Sequence, residues 1–140
     1  MFTARAIATA PVDRLWTVLS DVTAWPDHLP TFTSVTLIGG PTPMGLGSRF
    51  VVRQPGLPAA TYEVTEWTPG RGFTWIARSR AVVTTATHVV TGSELGSRLD
   101  LTLRWDGPLA RPPQLMLGRR VQRIIELEAT TLARVAAAGE

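Results

Sequence analysis

The chain has no cysteine, no lysine and a single tyrosine among its 140 residues. Without cysteine there is no disulfide framework, no thiol nucleophile and no thiolate metal site. Without lysine, all 14 basic residues are arginine, so almost nothing titrates between neutrality and the guanidinium range. A net charge of +3 therefore persists to very high pH, and the isoelectric point of 10.9 reports a missing buffer rather than a basic face. No apolar run approaches the roughly 20 residues that span a bilayer. The opening residues, Met1 to Ile7, lack the charged and apolar regions of a secretion signal. The expectation is a cytoplasmic protein with no membrane insertion. No arginine stripe interleaves with exposed aromatics, which speaks against nucleic acid. Also missing are a phosphate-cradling glycine loop, a G-x-S-x-G elbow and an acid pair at defined spacing.

What is present is ordinary in bulk and informative in order. Apolar residues make up 44% and charged residues 18%, as in a globular protein. Residues 1–140 read as one domain, long enough to bury about two-thirds of its unfolded surface. Phe2 to Ala8 reads as a strand, and Pro11 stands where a helix accepts proline. Asp13 can reach back to a free backbone N–H near Ala10 as half of a capping box. Val12, Leu15, Trp16, Leu19 and Val22 give that helix an apolar face. The two prolines of Trp25 to Pro30 then allow little more than one further helical turn. Strands follow over Phe32 to Ile38 and Ser48 to Gln54, and Ala60 to Trp67 forms a hairpin with Phe73 to Arg80. A second hairpin joins Ala81 to Thr91 with Arg98 to Trp105 around Gly92 to Gly96. Beyond Pro108, Pro112 and Pro113 runs a helix of roughly six turns or more, to about Ala137.

Strand alternation sorts the side chains, since neighbours point to opposite sheet faces. Leu99, Leu101, Leu103 and Trp105 share one face; so do Phe73, Trp75 and Ala77, with Thr74, Ile76 and Arg78 outside. Tyr62 with Val64, Phe50 with Val52 and Gln54, and Ala86 with His88 and Val90 complete the inward set. On the last helix Leu117, Val121, Ile124, Ile125, Leu132 and Val135 form a stripe that includes Glu128, while Arg119, Arg120 and Arg123 lie off it. A curved antiparallel sheet closed over one long helix leaves a hollow between them.

Several of these residues carry a resemblance. Ala10-Pro11 and Trp16, followed by Asp21 and Trp25-Pro26, are similar to the start of polyketide cyclase/dehydrase-like proteins of the START-related helix-grip (SRPBCC) superfamily. The segments Arg53 to Pro58, Tyr62 to Trp67, Phe73 to Trp75, His88 to Val90 and Gly107 to Leu109 resemble an actinobacterial branch of it. The resemblance spans nearly the whole chain. It implies an α+β helix-grip fold, with a strand, two short helices, six further strands and a long C-terminal helix held by the sheet. It also implies a deep apolar cavity for lipids, polyketides or other hydrophobic molecules; some members catalyse aromatic ring closure or loss of water. Position 62 is Tyr where this branch carries tryptophan, and His28 stands where relatives often have an aromatic residue.

The candidate site is read on that hollow. His88, inward on its strand, suits the orientation of a ligand carbonyl or acid–base work, because its pKa lies near neutrality. The same placement suits a histidine tied to a neighbouring carbonyl for packing. Gln54, Tyr62 and Trp75 supply hydrogen bonds and aromatic wall, although Trp75 serves equally as plain core. Leu101, Leu103 and Val121 complete the wall. Glu128 is either a desolvated cavity acid or a helix-edge residue reaching water, and Arg53 either meets an acidic ligand group on the rim or is solvated. Asp21, Asp27 and His28 match no ligand spacing, so no metal is expected, and no cofactor either. The expected activity is binding of a hydrophobic, ring-containing small molecule in a cavity of about 300–1,000 Å³. The alternative is a polyketide aromatase/cyclase or dehydratase, a lyase or isomerase in which proximity supplies most of the acceleration. There His88 moves the proton and Tyr62 holds the developing oxyanion. A third reading is a protein-interaction module with a solid core. Monomer and homodimer both stay open.

Overall fold

Two-residue alternation builds a single seven-stranded sheet, antiparallel throughout, in the order β1-β7-β6-β5-β4-β3-β2. The computed structural model describes residues 1–79 and 81–139. The strands are β1 (Phe2–Ala8), β2 (Ser34–Gly39), β3 (Arg49–Arg53), β4 (Ala60–Thr68), β5 (Gly72–Ser79), β6 (Val82–Ser93) and β7 (Gly96–Asp106). Between β1 and β2 lie α1 (Val12–Ser20), a short 3₁₀ turn (Val22–Ala24) and α2 (Trp25–His28). The chain closes with α3 (Arg111–Ala138), which lies against β1, β7, α1 and α2. This is the helix-grip fold.

The sheet curves where its register slips, between Val64 and Glu66 on β4 and between Leu37 and Gly39 on β2. The long β6–β7 pair turns more tightly than its sequence suggests. Ser93 pairs with Gly96, which leaves Glu94 and Leu95 as a two-residue turn. Gly96 has φ of 142°, and a Cβ there would meet the carbonyls of Ala8 and Ala10 at 2.7 Å. At the corner into α3, Gly107 has φ of 108°, and a Cβ would collide with the Ala81 carbonyl.

Three expectations are corrected. Asp13 does not reach back to Ala10; its carboxylate accepts from the N–H of Arg14 at 2.9 Å, and α1 starts after Pro11 with no side-chain cap. Phe32 precedes β2, its ring edge-on to Trp25 at 5.2 Å. Thr74 points outward as expected, yet it is buried, its hydroxyl 3.5 Å from that of Thr87 on the next strand. The stripe of α3 is also rotated towards small residues. Val121, Ile125, Ala129, Leu132, Ala133 and Ala136 are buried, whereas Leu117, Ile124, Glu128 and Val135 are half-buried. The alanines let the helix backbone approach the sheet closely, with Leu15, Leu19 and Leu99 fully buried beneath. Among the described residues no helix is long and apolar enough to cross a membrane.

Candidate ligand cavity

Three walls meet around a cavity of about 90 Å³ between the sheet and α3. The sheet contributes Val52, Tyr62, Trp75, Thr84, Ala86, His88, Leu103 and Trp105; α3 contributes Val121, Ile124, Ile125 and Glu128. Trp25 and Phe32 close one end, and Gln54 and Leu57 of the β3–β4 loop form the rim. That loop is tied to the helix by Arg120, whose Nη2 donates to the Pro55 carbonyl at 3.0 Å.

Seven of the eight expected ligand-binding residues therefore converge: Gln54, Tyr62, Trp75, His88, Leu103, Val121 and Glu128. Leu101 does not. It is buried on the same face, between His88 of β6 and Ala4 of β1, but does not reach the lining. Arg53 is exposed and outside the cavity wall, and Asp21, Asp27 and His28 are exposed around α2. Sequence reasoning leaves Thr84 out of the site, although it follows from Ala86 and His88 by a further step of two along β6. Trp25 is missed for a different reason: it belongs to a helical break, where strand parity says nothing. Its indole N–H donates to the Leu19 carbonyl at 3.2 Å, which fixes the ring against Trp75 at 5.5 Å.

The hollow is smaller than the expected 300–1,000 Å³ because aromatic rings occupy much of it. Tyr62 and Trp75 lie 4.9 Å apart, Phe50 and Trp75 5.8 Å, and Trp25 and His88 5.8 Å.

Its polar groups are few and unusually placed. His88 is buried, and burial lowers its pKa to about 4, with the Phe73 carbonyl pulling weakly the other way. Nδ1 lies 3.2 Å from that carbonyl, which can only accept, so Nδ1 carries the proton and Nε2 is the ring's acceptor. Glu128 receives a hydrogen bond from Thr31 Oγ1 at 3.3 Å, yet desolvation dominates and pushes its pKa up to about 8. Burial also raises the Tyr62 phenol above its ordinary value, and the nearby Glu128 charge adds to the shift. At neutral pH the cavity thus presents a neutral imidazole, a protonated carboxyl and a phenol, with no net charge from the three.

Comparison with known proteins follows the same lines. The sequence pattern of the family described as "Polyketide cyclase / dehydrase and lipid transport" matches residues 2–137. Among solved structures, the fold is similar to the Zhui aromatase/cyclase of Streptomyces sp. R1128, with a TM-score of 0.76 at 19% identity over 96% of this chain and 91% of that one. A Thermus thermophilus protein matches with a TM-score of 0.74 at 17% identity, over 99% of this chain and 98% of that one. The di-domain aromatase/cyclase StfQ of steffimycin biosynthesis matches with 0.70 at 16% identity, over 98% of this chain and 49% of that one. Among curated proteins none matches.

Proposed function

Because the chain belongs to the polyketide cyclase/dehydrase and lipid-transport family, we propose that its cavity binds a hydrophobic small molecule. One observation carries the reading: a hollow under α3 walled by aromatic and aliphatic side chains, with a few polar side chains among them, Gln54, Tyr62, Thr84, His88 and Glu128. An apolar ligand there replaces poorly ordered water against a dry wall. His88 Nε2 accepts from a ligand hydroxyl, while Tyr62 and the protonated Glu128 donate to a ligand carbonyl. A void of roughly 150 Å³ takes up benzene, and this cavity holds only about 90 Å³. A ring-sized ligand therefore needs the cavity to widen, and we place that widening at the Gln54–Pro58 loop, which a single Arg120–Pro55 hydrogen bond ties to α3.

Glu128 favours a second reading, ring closure or dehydration of a polyketone. A carboxyl that keeps its proton to about pH 8 is a competent general acid at neutrality. His88, with a pKa near 4, is a weak proton acceptor there, so in this reading it holds the substrate while Glu128 protonates the oxygen.

The test is titration with the neutral apolar dye N-phenyl-1-naphthylamine, with native mass spectrometry of the purified protein alongside. Saturable dye binding supports the cavity. No apolar compound retained under any condition would move the protein to the solid-core class of interaction modules. A Glu128→Gln variant, which keeps a hydrogen-bond donor but removes the acid, then separates the two readings. Loss of affinity alone marks a binder; turnover abolished at unchanged affinity marks an enzyme.

A further inference from the structure

Arg111, Arg119, Arg120 and Arg123 all fall between residues 107 and 125, a stretch with no acidic residue. The rest of the chain carries ten arginines against eleven acids, so the whole positive surplus sits in this stretch. Helical spacing sets Leu115, Met116, Arg119 and Arg123 on one side of α3, away from the buried Val121 and Ile125. Leu115 and Met116 are 80% and 81% exposed, and Leu109, just before the helix, is 55% exposed. Bare aliphatic side chains among guanidinium groups, with no acid between them, are the composition of a helix that lies in a lipid interface. Arginine suits that position, because its stem lies along apolar surface while its head stays in the polar layer.

A second feature points the same way. An open groove of about 640 Å³ runs beside this face, lined by Phe2, Gly118, Arg119, Gln122 and Arg123. Gly118 keeps its floor low, since a Cβ there would already touch the Phe2 ring at 3.5 Å. A phosphate between Arg119 and Arg123 therefore has an aromatic surface beside it for the first part of an acyl chain. Phe2 meets Trp105 edge-on at 5.6 Å, and Trp105 is a cavity wall. On the other flank of the helix, half-buried Ile124 and Leu57 bring the cavity rim to the surface next to Arg120.

We propose that the N-terminal half of α3 docks on an anionic lipid bilayer, with Leu115 and Met116 in the acyl boundary and Arg119 and Arg123 on lipid phosphates. The docked face adjoins the cavity rim, so a poorly soluble ligand passes between bilayer and cavity without crossing water. Docking needs no transmembrane span, and it stands whether or not the cavity is filled. An acidic protein would answer the charge as well. From Leu115 to Arg123, however, the face offers donors and aliphatic tips in no fixed pattern. Its one acid, Glu126, lies a turn further on and is held by Gln122. A fluid anionic surface satisfies such a face without a matching partner geometry.

Co-sedimentation with large unilamellar vesicles of phosphatidylcholine, with and without phosphatidylglycerol, tests the proposal on the full chain. Binding is expected to the phosphatidylglycerol vesicles alone and to weaken with salt. Arg119→Gln with Arg123→Gln should lower partitioning roughly twenty-five-fold, each arginine near an anionic surface being worth about a factor of five. Leu115→Ser with Met116→Ser should weaken binding while leaving its salt dependence in place. Neither pair lines the cavity, so both variants should bind N-phenyl-1-naphthylamine as the parent does, which separates failure of docking from failure of the cavity. Absence of sedimentation with phosphatidylglycerol vesicles, or indifference to both double variants, would overturn the proposal. Salt-sensitive binding to soluble polyglutamate without vesicle binding would overturn it in favour of an acidic protein.

Discussion

His88 and Phe73 face each other across the β5–β6 ladder, their rings stacked at 4.1 Å and 14° apart, with Nδ1 of His88 3.2 Å from the Phe73 carbonyl. One residue thus supplies both the apolar floor that desolvates the imidazole and the carbonyl that fixes its tautomer. A side chain that ordinarily titrates near neutrality becomes a permanent neutral acceptor in the cavity wall.

That state is measurable. Nitrogen-15 NMR should show His88 neutral, with the proton on Nδ1, down to about pH 4. A midpoint near the ordinary 6.5 would contradict the assignment. Phe73→Leu, which keeps the site apolar but removes the stack, should cost about 1–2 kcal/mol in denaturant unfolding.

Glu128 and His88 should shape stability against pH in opposite directions. Glu128 titrates at about 8 folded against 4.5 unfolded, so the folded state holds the extra proton and stability falls as pH rises between those values. His88 titrates at about 4 folded against 6.5 unfolded, so the unfolded state holds the extra proton and stability falls as pH drops through that window. Between about 4.5 and 6.5 the two slopes oppose each other; from 6.5 to about 8 only the Glu128 loss remains. Glu128→Gln should remove that loss and raise the melting temperature at pH 8.5 by at least about 3 °C relative to the parent. Equal melting curves at pH 8.5 would count against a desolvated carboxyl.

The small residues of α3 make a third prediction. Ala129 is fully buried, so Ala129→Leu should overpack the helix–sheet contact and cost about 1–3 kcal/mol. Leu132→Ala should cost about 2–5 kcal/mol by leaving a void. Leu132 does not line the cavity, so dye affinity in that folded variant should match the parent.

Strand parity carries most of the site. Alternation alone turns Tyr62, Trp75, His88 and Leu103 inward, and helical period does the same for Val121 and Glu128, because each period is fixed by backbone geometry. Alternation cannot say which residues of a face reach the lining, which is why it assigns Leu101 to a wall that residue does not form. Nor can it give the cavity volume, which depends on how far Trp25, Trp75 and Tyr62 lean into the space. On α3 the counting of large apolar residues hides Ala129, Ala133 and Ala136, whose small size brings the helix close. The high isoelectric point does follow from missing lysine. Composition alone nevertheless conceals that four arginines share one exposed stretch with Leu115 and Met116.

The claim of a ligand-holding cavity is tested most directly by filling it. Ala86 is a buried wall residue on β6, and Ala86→Phe places a ring in the hollow. If a ligand occupies that space, the variant should keep the parent's circular dichroism and lose N-phenyl-1-naphthylamine affinity at least about ten-fold, a change of about 1.4 kcal/mol. A folded Ala86→Phe protein that binds the dye as tightly as the parent would show that the hydrophobic site lies elsewhere.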